Sequence, residues 1–355
     1  MGLSSVFDRI ASQHVQALDG EDRGETRGPS QERMIVGDMS TGARNPTSSA
    51  WTVDAHGALE AGPYQAFADV LTAREAYRAK SRARRLLERP LAGAVVLFFR
   101  LLPWMPPIRV RARLFTGQIL SVVLPEMLSR EVYLHGFFEA PLTRMLLSFL
   151  RPGMVFADVG AQYGYYSLLA HALVGPHGRV FAFEPAPYTY SILSENIRHL
   201  PNVVAENIAI YSTPGVVAIH DFGRAFSGLN SLIPQPRVPP DLAKGLKAKR
   251  FDVRGVRLDD YFAEHGVSPN FVKIDVESTE IHVLRSMENL LRTARPVVSI
   301  EVGDFGLSGA GESGECVRFL LDRGYQCFEY RDGTLHALRE RSTYADDNLL
   351  FVPIG

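Results

Sequence analysis

The 355-residue chain is 46% hydrophobic and 22% charged, the balance of a globular protein with one large domain and extensions, or two domains. Its 38 basic and 39 acidic residues exclude a globally basic nucleic-acid binder, and two cysteines, Cys316 and Cys327, exclude a disulfide scaffold or multi-cysteine zinc module. No apolar run reaches the ~18 residues of a membrane span and the N-terminus lacks a signal-peptide pattern, so a cytoplasmic enzyme or binding protein with reduced, buried thiols is expected.

Residues 1–62 are rich in Ser, Thr, Gly, Asp, Glu and Arg and read as poorly ordered, with a short amphipathic helix over Val6–Leu18 at most. Residues 63–107 read as a basic, then apolar, helical extension. Arg74, Arg78, Lys80, Arg82, Arg84, Arg85 and Arg89 face only Glu75 and Glu88, and LAGAVVLFFRLLPWMPP follows. Two readings fit: packing on the main domain, or peripheral contact with an anionic membrane through 74–105. Pro103, Pro106 and Pro107 stop any helix.

From Ile108 onward an ordered domain is expected to run to 355. Strands are expected over Ile108–Leu114 and Ile119–Leu124, then a helix over Ala140–Leu150. Strands over Met154–Val159, Arg179–Phe183, Val203–Ile210, Val216–Asp221, Phe271–Val276 and Pro296–Val302 follow. Helices are expected over Tyr165–Val174, Pro187–Leu200, Thr279–Thr293 and Gly314–Arg323. Tyr325–Tyr330 and Asn348–Pro353 close the chain as an antiparallel pair at or near one edge, with a turn at Asp332-Gly333. Strands alternating with helices imply an α/β fold whose sheet is mainly parallel and covered on both faces.

In such a sheet, ligands sit beyond the carboxyl ends of the strands. The first alternating strand ends in Asp158-Val159-Gly160-Ala161-Gln162-Tyr163-Gly164, where two glycines let the backbone approach a ligand. The second ends in Glu184-Pro185, where a carboxylate can accept both hydroxyls of a ribose. Gln162 stands where a nicotinamide-dinucleotide loop needs glycine, and the acid Asp158 suits a cationic ligand such as S-adenosylmethionine. Lys273, Asp275 and Glu277 alternate at another strand end, and Glu301, with Asp304 behind it, ends the next. Buried strand ends tolerate such acids only if they face a cleft, bind a cation or pair. Thr279 caps the following helix, with Glu280 just inside it.

The runs VFADVGAQYGYYSLLA, GRVFAFEPAP, VRLDDYF, FVKIDVES-TE and PVVSIEV, in this order and spacing, resemble the FkbM family of S-adenosylmethionine-dependent methyltransferases. VYLHGFFEAPLTRMLLSFLRPG resembles that family's first helix and NLLFVP its last strand, so the resemblance spans about residues 115–353. It implies the class I, Rossmann-like methyltransferase fold: seven strands, mostly parallel, with the last antiparallel. It further implies that Asp158, Gly160 and Gly164 surround the methionine end of the cofactor, with Glu139 near its amino group. Glu184 would bind the ribose hydroxyls, and Asn207 and Ile208 would lie near the adenine. Asp275 and Glu277 would face the transferred methyl and the acceptor, a hydroxyl on a sugar, glycan or secondary metabolite. Two residues depart from the family pattern: Gln162 replaces an asparagine, and Ser278 replaces a glycine.

A hydroxyl acceptor needs its proton removed. Asp275 is expected to be the base or orienting group and Glu277 its partner, with His135 and His282 as other candidate bases. A divalent cation on Asp275, Glu277 and Glu301 is conceivable, but no histidine lies at ligand spacing and no metal is expected. The long loop Phe222–Arg250 carries Ser227, Asn230 and Ser231, which suit hydrogen bonding to a polyol. Competing readings are an N- or carboxyl-methyltransferase, and a catalytically silent cofactor-binding protein.

Overall fold

Strands apolar on both faces need helices on both sides, and the computed structural model has them. It describes residues 62–88, 90–102, 105–234, 246–304, 313–331, 333–344 and 347–354. The expected Val6–Leu18 helix and the 1–62 stretch, Gly62 excepted, lie outside the described residues, as do Pro103 and Trp104.

Three helices come first: α1 (Gln65–Arg78), α2 (Arg82–Glu88) and α3 (Pro90–Leu101). A hairpin of β1 (Ile108–Arg113) and β2 (Ile119–Leu124) leads to α4 (Met127–His135) and α5 (Ala140–Phe149). The alternating part runs β3 (Val155–Val159), α6 (Tyr165–Val174), β4 (Arg179–Phe183), α7 (Pro187–Ile197), β5 (Val203–Glu206). Next come β6 (Ala209–Ile210), β7 (Gly215–Asp221), β8 (Lys249–Val256), α8 (Leu258–Glu264), β9 (Phe271–Ile274), α9 (Glu280–Ser286) and α10 (Glu288–Thr293). The chain ends in β10 (Val297–Val302), α11 (Ser313–Leu321), β11 (Tyr325–Arg331), β12 (Thr334–Ala337) and β13 (Asp347–Pro353).

The main sheet has the order β12-β11-β13-β10-β9-β3-β4-β5. From β10 to β5 the neighbours are parallel, and β13 lies antiparallel between β10 and β11. Eight strands therefore replace the seven expected. The chain turns back at Gly333, φ +86°, and β12 pairs with β11 as a hairpin arm. The final strand is consequently interior, and β12 forms the edge. Strand order reverses between β3 and β9, which puts a ligand crevice at their carboxyl ends.

Two further expectations are corrected. The strand expected over Val203–Ile210 is two: Asn207 Nδ2 donates to the carbonyls of Glu184 and Pro185, 2.9 Å each, drawing the chain over the end of β4. β6 then joins a separate three-stranded sheet, β6-β8-β7, whose β8 lay partly within the expected loop. The helix expected over Thr279–Thr293 breaks at buried Met287, φ −120° and ψ 25°. Asp259 makes the break favourable by capping α10, accepting from Asn289 N at 3.0 Å and Leu290 N at 2.9 Å.

The first helix is no appendage. Tyr64, Ala68 and Leu71 are buried in the same apolar cluster as residues of α5 and α6. Arg78 pairs with Glu131 at 3.2 Å, Glu75 pairs with Arg144, and Arg74 donates to the His135 carbonyl. The domain core therefore crosses the boundary expected at 107. Leu71→Ala should lower unfolding free energy by about 2–5 kcal/mol, as for any fully buried leucine. Urea denaturation checks this; a loss under about 0.5 kcal/mol would mean that α1 does not share the core.

Candidate functional site

The crevice is built on a buried cation. Lys273 on β9 stands in register with Asp158 on β3, and both side chains are withdrawn from solvent, at 2% and 0% exposed. Lys273 Nζ lies 3.5 Å from Asp158 Oδ1 and 3.2 Å from Asp275 Oδ2, and donates to the Gly160 carbonyl at 3.0 Å. Burial opposes the ammonium, but Asp275 and Asp158 more than offset it and raise the lysine's pKa. Burial pushes the Asp158 carboxyl up, with Lys273 and Ser167 acting against the rise. Ser167 Oγ donates to Asp158 Oδ2 at 2.6 Å. Asp158 thus lies beneath the glycine loop and holds it from below, instead of lining the ligand surface as the resemblance implied.

The loop above needs its glycines. Gly160 has φ +81°, and a Cβ there would sit 1.7 Å from the Asp275 carbonyl oxygen. Gly164 has φ +93°, and a Cβ would meet Leu193 Cδ1 at 2.7 Å, so its absence lets α7 pack close. Between them Gln162 adopts φ 48°. Its N–H donates to Glu184 Oε2 at 3.0 Å, while Ala186 N–H donates to Glu184 Oε1 at 2.9 Å. Two strand ends are thereby clasped through one carboxylate. Burial pushes the Glu184 carboxyl up to about 7, even though both backbone donors favour its ionised form. Asn207 and Pro185 meet at this end through the hydrogen bond already described, and Ile208 is buried beside it.

Asp275, Glu277 and Glu301 are brought together, with one carboxylate oxygen from each within 4.8 Å of the others. Glu301 is buried, and the other two are half-buried. Strand β9 ends at Ile274, earlier than expected, and the chain then makes a left-handed turn at Glu277 (φ 55°) and Ser278 (φ 79°). Ser278 keeps the backbone shape that the family's glycine would adopt freely, at a cost of about 1–3 kcal/mol. Glu280 is buried and accepts from Ser278 N–H at 3.0 Å, and Thr279 Oγ1 donates to the Val276 carbonyl. Glu139, φ 38°, does not cap α5 with its side chain; Tyr166 OH donates to its Oε2 at 2.6 Å. The Tyr166 ring lies 5.2 Å from Lys273 Nζ, so Glu139, Tyr166, Lys273, Asp158 and Asp275 form one connected polar cluster.

The 222–234 segment behaves differently from expectation. Ser227 is buried and exchanges a 2.7 Å hydrogen bond with Tyr163 OH. Ser231 Oγ donates to the Glu277 carbonyl at 2.5 Å and accepts from Ile233 N–H. Both serines are therefore ties that fasten the segment, not donors presented to an acceptor. Asn230 Oδ1 accepts from Phe222 N–H, while its Nδ2 is buried with no hydrogen-bond partner among the described residues. The candidate bases lie elsewhere: buried His135 packs between Tyr77 and Phe137, and His282 stacks on Tyr211 and bonds Ser212. Both cysteines are free and buried.

Sequence reasoning missed Tyr166, Ser167 and Glu126. Tyr166 meets Lys273 on β9 and Ser167 meets Asp158 on β3, contacts that the packing of α6 on the sheet sets and no local pattern reveals. Glu126 caps α4, accepting from Leu128 N, Ser129 N and Ser129 Oγ. It also accepts from the Gln162 amide, whose own Oε1 is buried without a hydrogen-bond partner among the described residues. Lys273→Met should cost about 3–5 kcal/mol, because it leaves two carboxylates beside each other without their cation. Asp158 would then titrate higher still, so the penalty is full above that pKa and relieved as pH falls. Urea denaturation at pH 8 and pH 5 measures it; an equal loss at both would remove the charge from the explanation.

The profile of the methyltransferase FkbM domain matches residues 158–327, from the end of β3 into β11. The 31-O-demethyl-FK506 methyltransferase FkbM of Streptomyces tacrolimicus is 30% identical over 223 residues, 55% of this chain and 83% of that protein. The hexuronic acid methyltransferase AglP of Haloferax volcanii is 27% identical over 163 residues, 45% of this chain and 61% of that protein. The solved methyltransferase FkbM of Methylobacillus flagellatus KT aligns with TM-score 0.36 and 14% identity over 63% of this chain and 54% of that one. The match thus spans most of the Streptomyces relative and less than two thirds of the other two. Taken with the strand order and the glycine loop, the 30% identity across 83% of the Streptomyces relative establishes that the chain belongs to the FkbM family of S-adenosylmethionine-dependent methyltransferases.

Proposed function

We propose that this chain transfers a methyl group to a hydroxyl of a sugar, glycan or secondary metabolite. The observation that carries the cofactor half is Glu184: a buried carboxylate at the end of β4, clasped by two backbone N–H groups beside the glycine loop. Gln162 Oε1 and Asn230 Nδ2, buried and without a partner among the described residues, fit a polar ligand in the same region. Glu184, Gln162, the Gly160–Gly164 backbone and Glu139 would hold S-adenosylmethionine, with Asn207 and Ile208 bordering its base. When bound, that cofactor supplies an electrophilic methyl on a sulfonium sulfur.

The acceptor half rests on the carboxylates. An alcohol must lose a proton as it attacks, whereas a neutral amine or an ionised carboxyl needs no base for that step. Lys273 holds Asp275 by one oxygen, and Ser231 holds the Glu277 carbonyl, so both acids are positioned before an acceptor arrives. Carboxylates so placed take the hydroxyl proton and pass it on. The names of the two relatives agree in kind: one specifies an oxygen, the other a sugar acid.

Calorimetric titration of S-adenosylhomocysteine into the wild type and Glu184→Ala tests the cofactor site. Affinity should fall roughly a hundred-fold in the variant, the worth of about two hydrogen bonds to a charged group. With a folded-state pKa of about 7, above the ordinary 4.5, Glu184 ionises only as pH rises through 7. Wild-type binding should therefore weaken about ten-fold from pH 8 to pH 6, and Glu184→Gln should lose that dependence. No heat from the folded wild type would remove the assignment. Asp275→Asn should lower turnover on a hydroxylated acceptor by about 10²–10⁴-fold while S-adenosylhomocysteine affinity stays within a few-fold. Unchanged turnover would take the proton-accepting role from Asp275.

A further inference from the structure

Helix α3 presents its apolar side to solvent. Leu91, Phe98 and Leu101 of α3 lie seven and then three residues apart, the spacing of one helix face, with Leu87 of α2 and Met105 on either side. All five are exposed, with Leu87 at 82% and Leu91 at 83%. In a helix that merely covers a domain, this stripe would face inward. Here Phe99 points inward, at 6% exposed, and the stripe is left over. Ten large hydrophobic side chains are exposed among the described residues, and seven of them fall between 87 and 108, so the patch is a local feature.

The same stretch carries one sign of charge. Residues 82–113 hold eight arginines and a single acid, Glu88, in a chain whose totals are 38 basic and 39 acidic. β1 alternates so that Arg109, Arg111 and Arg113 are exposed while Ala112 is buried, and Arg84 is exposed on α2. Arg109 pairs with Glu195 and Arg84 lies 3.6 Å from Glu88, but β1 and α2 remain strongly cationic. A second copy placed on this face by a two-fold axis would set arginines against arginines. A lipid surface with anionic headgroups satisfies both halves at once, taking the stripe at the headgroup–acyl boundary and the arginines in the headgroup layer. α3 is twelve residues long, and no described helix is long and apolar enough to cross a membrane.

We propose that α3, with the adjoining ends of α2 and β1, docks this enzyme flat on an anionic lipid surface. The inference stands on the α3 face and is independent of the acceptor assignment.

Co-sedimentation of the full chain with phosphatidylcholine vesicles containing roughly 30% phosphatidylglycerol tests it. The wild type should pellet with these vesicles and release about ten-fold or more at roughly 0.5 M salt. Leu91→Glu/Leu101→Glu should reduce partitioning by about ten-fold or more. Arg84→Glu/Arg111→Glu should remove the preference for anionic over pure phosphatidylcholine vesicles. Unchanged melting temperature and S-adenosylhomocysteine affinity establish that each variant is folded. Failure of the folded wild type to pellet overturns the proposal. So does equal pelleting by Leu91→Glu/Leu101→Glu, or equal wild-type binding to neutral vesicles. A lipid-free dimer that this leucine variant dissolves would overturn it too, assigning the face to a second copy.

Discussion

A single desolvated ammonium holds the crevice together. Stripping water from a lysine is costly, and only a full set of partners offsets it. Lys273 has Asp158 directly across the β3–β9 ladder, Asp275 two residues along its own chain, and the Gly160 carbonyl above. These partners come from the two strands between which the sheet order reverses. The cation therefore fixes the spacing of the two strand ends between which a ligand must fit. Through the Tyr166 ring and hydroxyl the same contacts reach Glu139 at the start of α5, so the crevice floor is continuous with the helical layer.

The walls are tied from farther away. Glu126 caps α4 with both oxygens and takes the Gln162 amide as well, and a Cβ on Gly228 would come within 3.3 Å of its Oε1. Asn196 on α7 bonds both backbone groups of Ser121 on β2 and the Tyr163 carbonyl. The glycine loop is thus gripped from β2, α4, α7 and the 224–229 turn. This accounts for the longer glutamine at position 162, whose amide spans to Glu126 while its backbone N–H holds Glu184.

Much of this was legible from residue order. Val155–Val159, Arg179–Phe183 and Val297–Val302 are apolar on both faces, a pattern only an interior parallel strand buries, and their ends carried the acids. What could not be read has identifiable causes. β8 contains Lys249, Arg250, Asp252 and Arg254 and so carries no core signal. The break at Met287 depends on Asp259, a cap from 28 residues upstream that no local pattern reveals. Ser227 and Ser231 have the chemistry to bind a polyol, but side-chain direction in a loop follows its backbone, and here that turns them toward Tyr163 and Glu277. Strand-end acids were easier, because a strand's direction already fixes where its last residues project.

The two outer strands of the main sheet, β5 and β12, are four residues each. An edge strand exposes unpaired backbone groups, and its length sets how much of another chain it can template. The six interior strands, including the apolar Val297–Val302, have both ladders filled. At either edge of this sheet another copy, folded or half-folded, meets only a four-residue rung of open hydrogen bonds. The interior β-rich segments are thereby kept from runaway strand addition at high protein concentration.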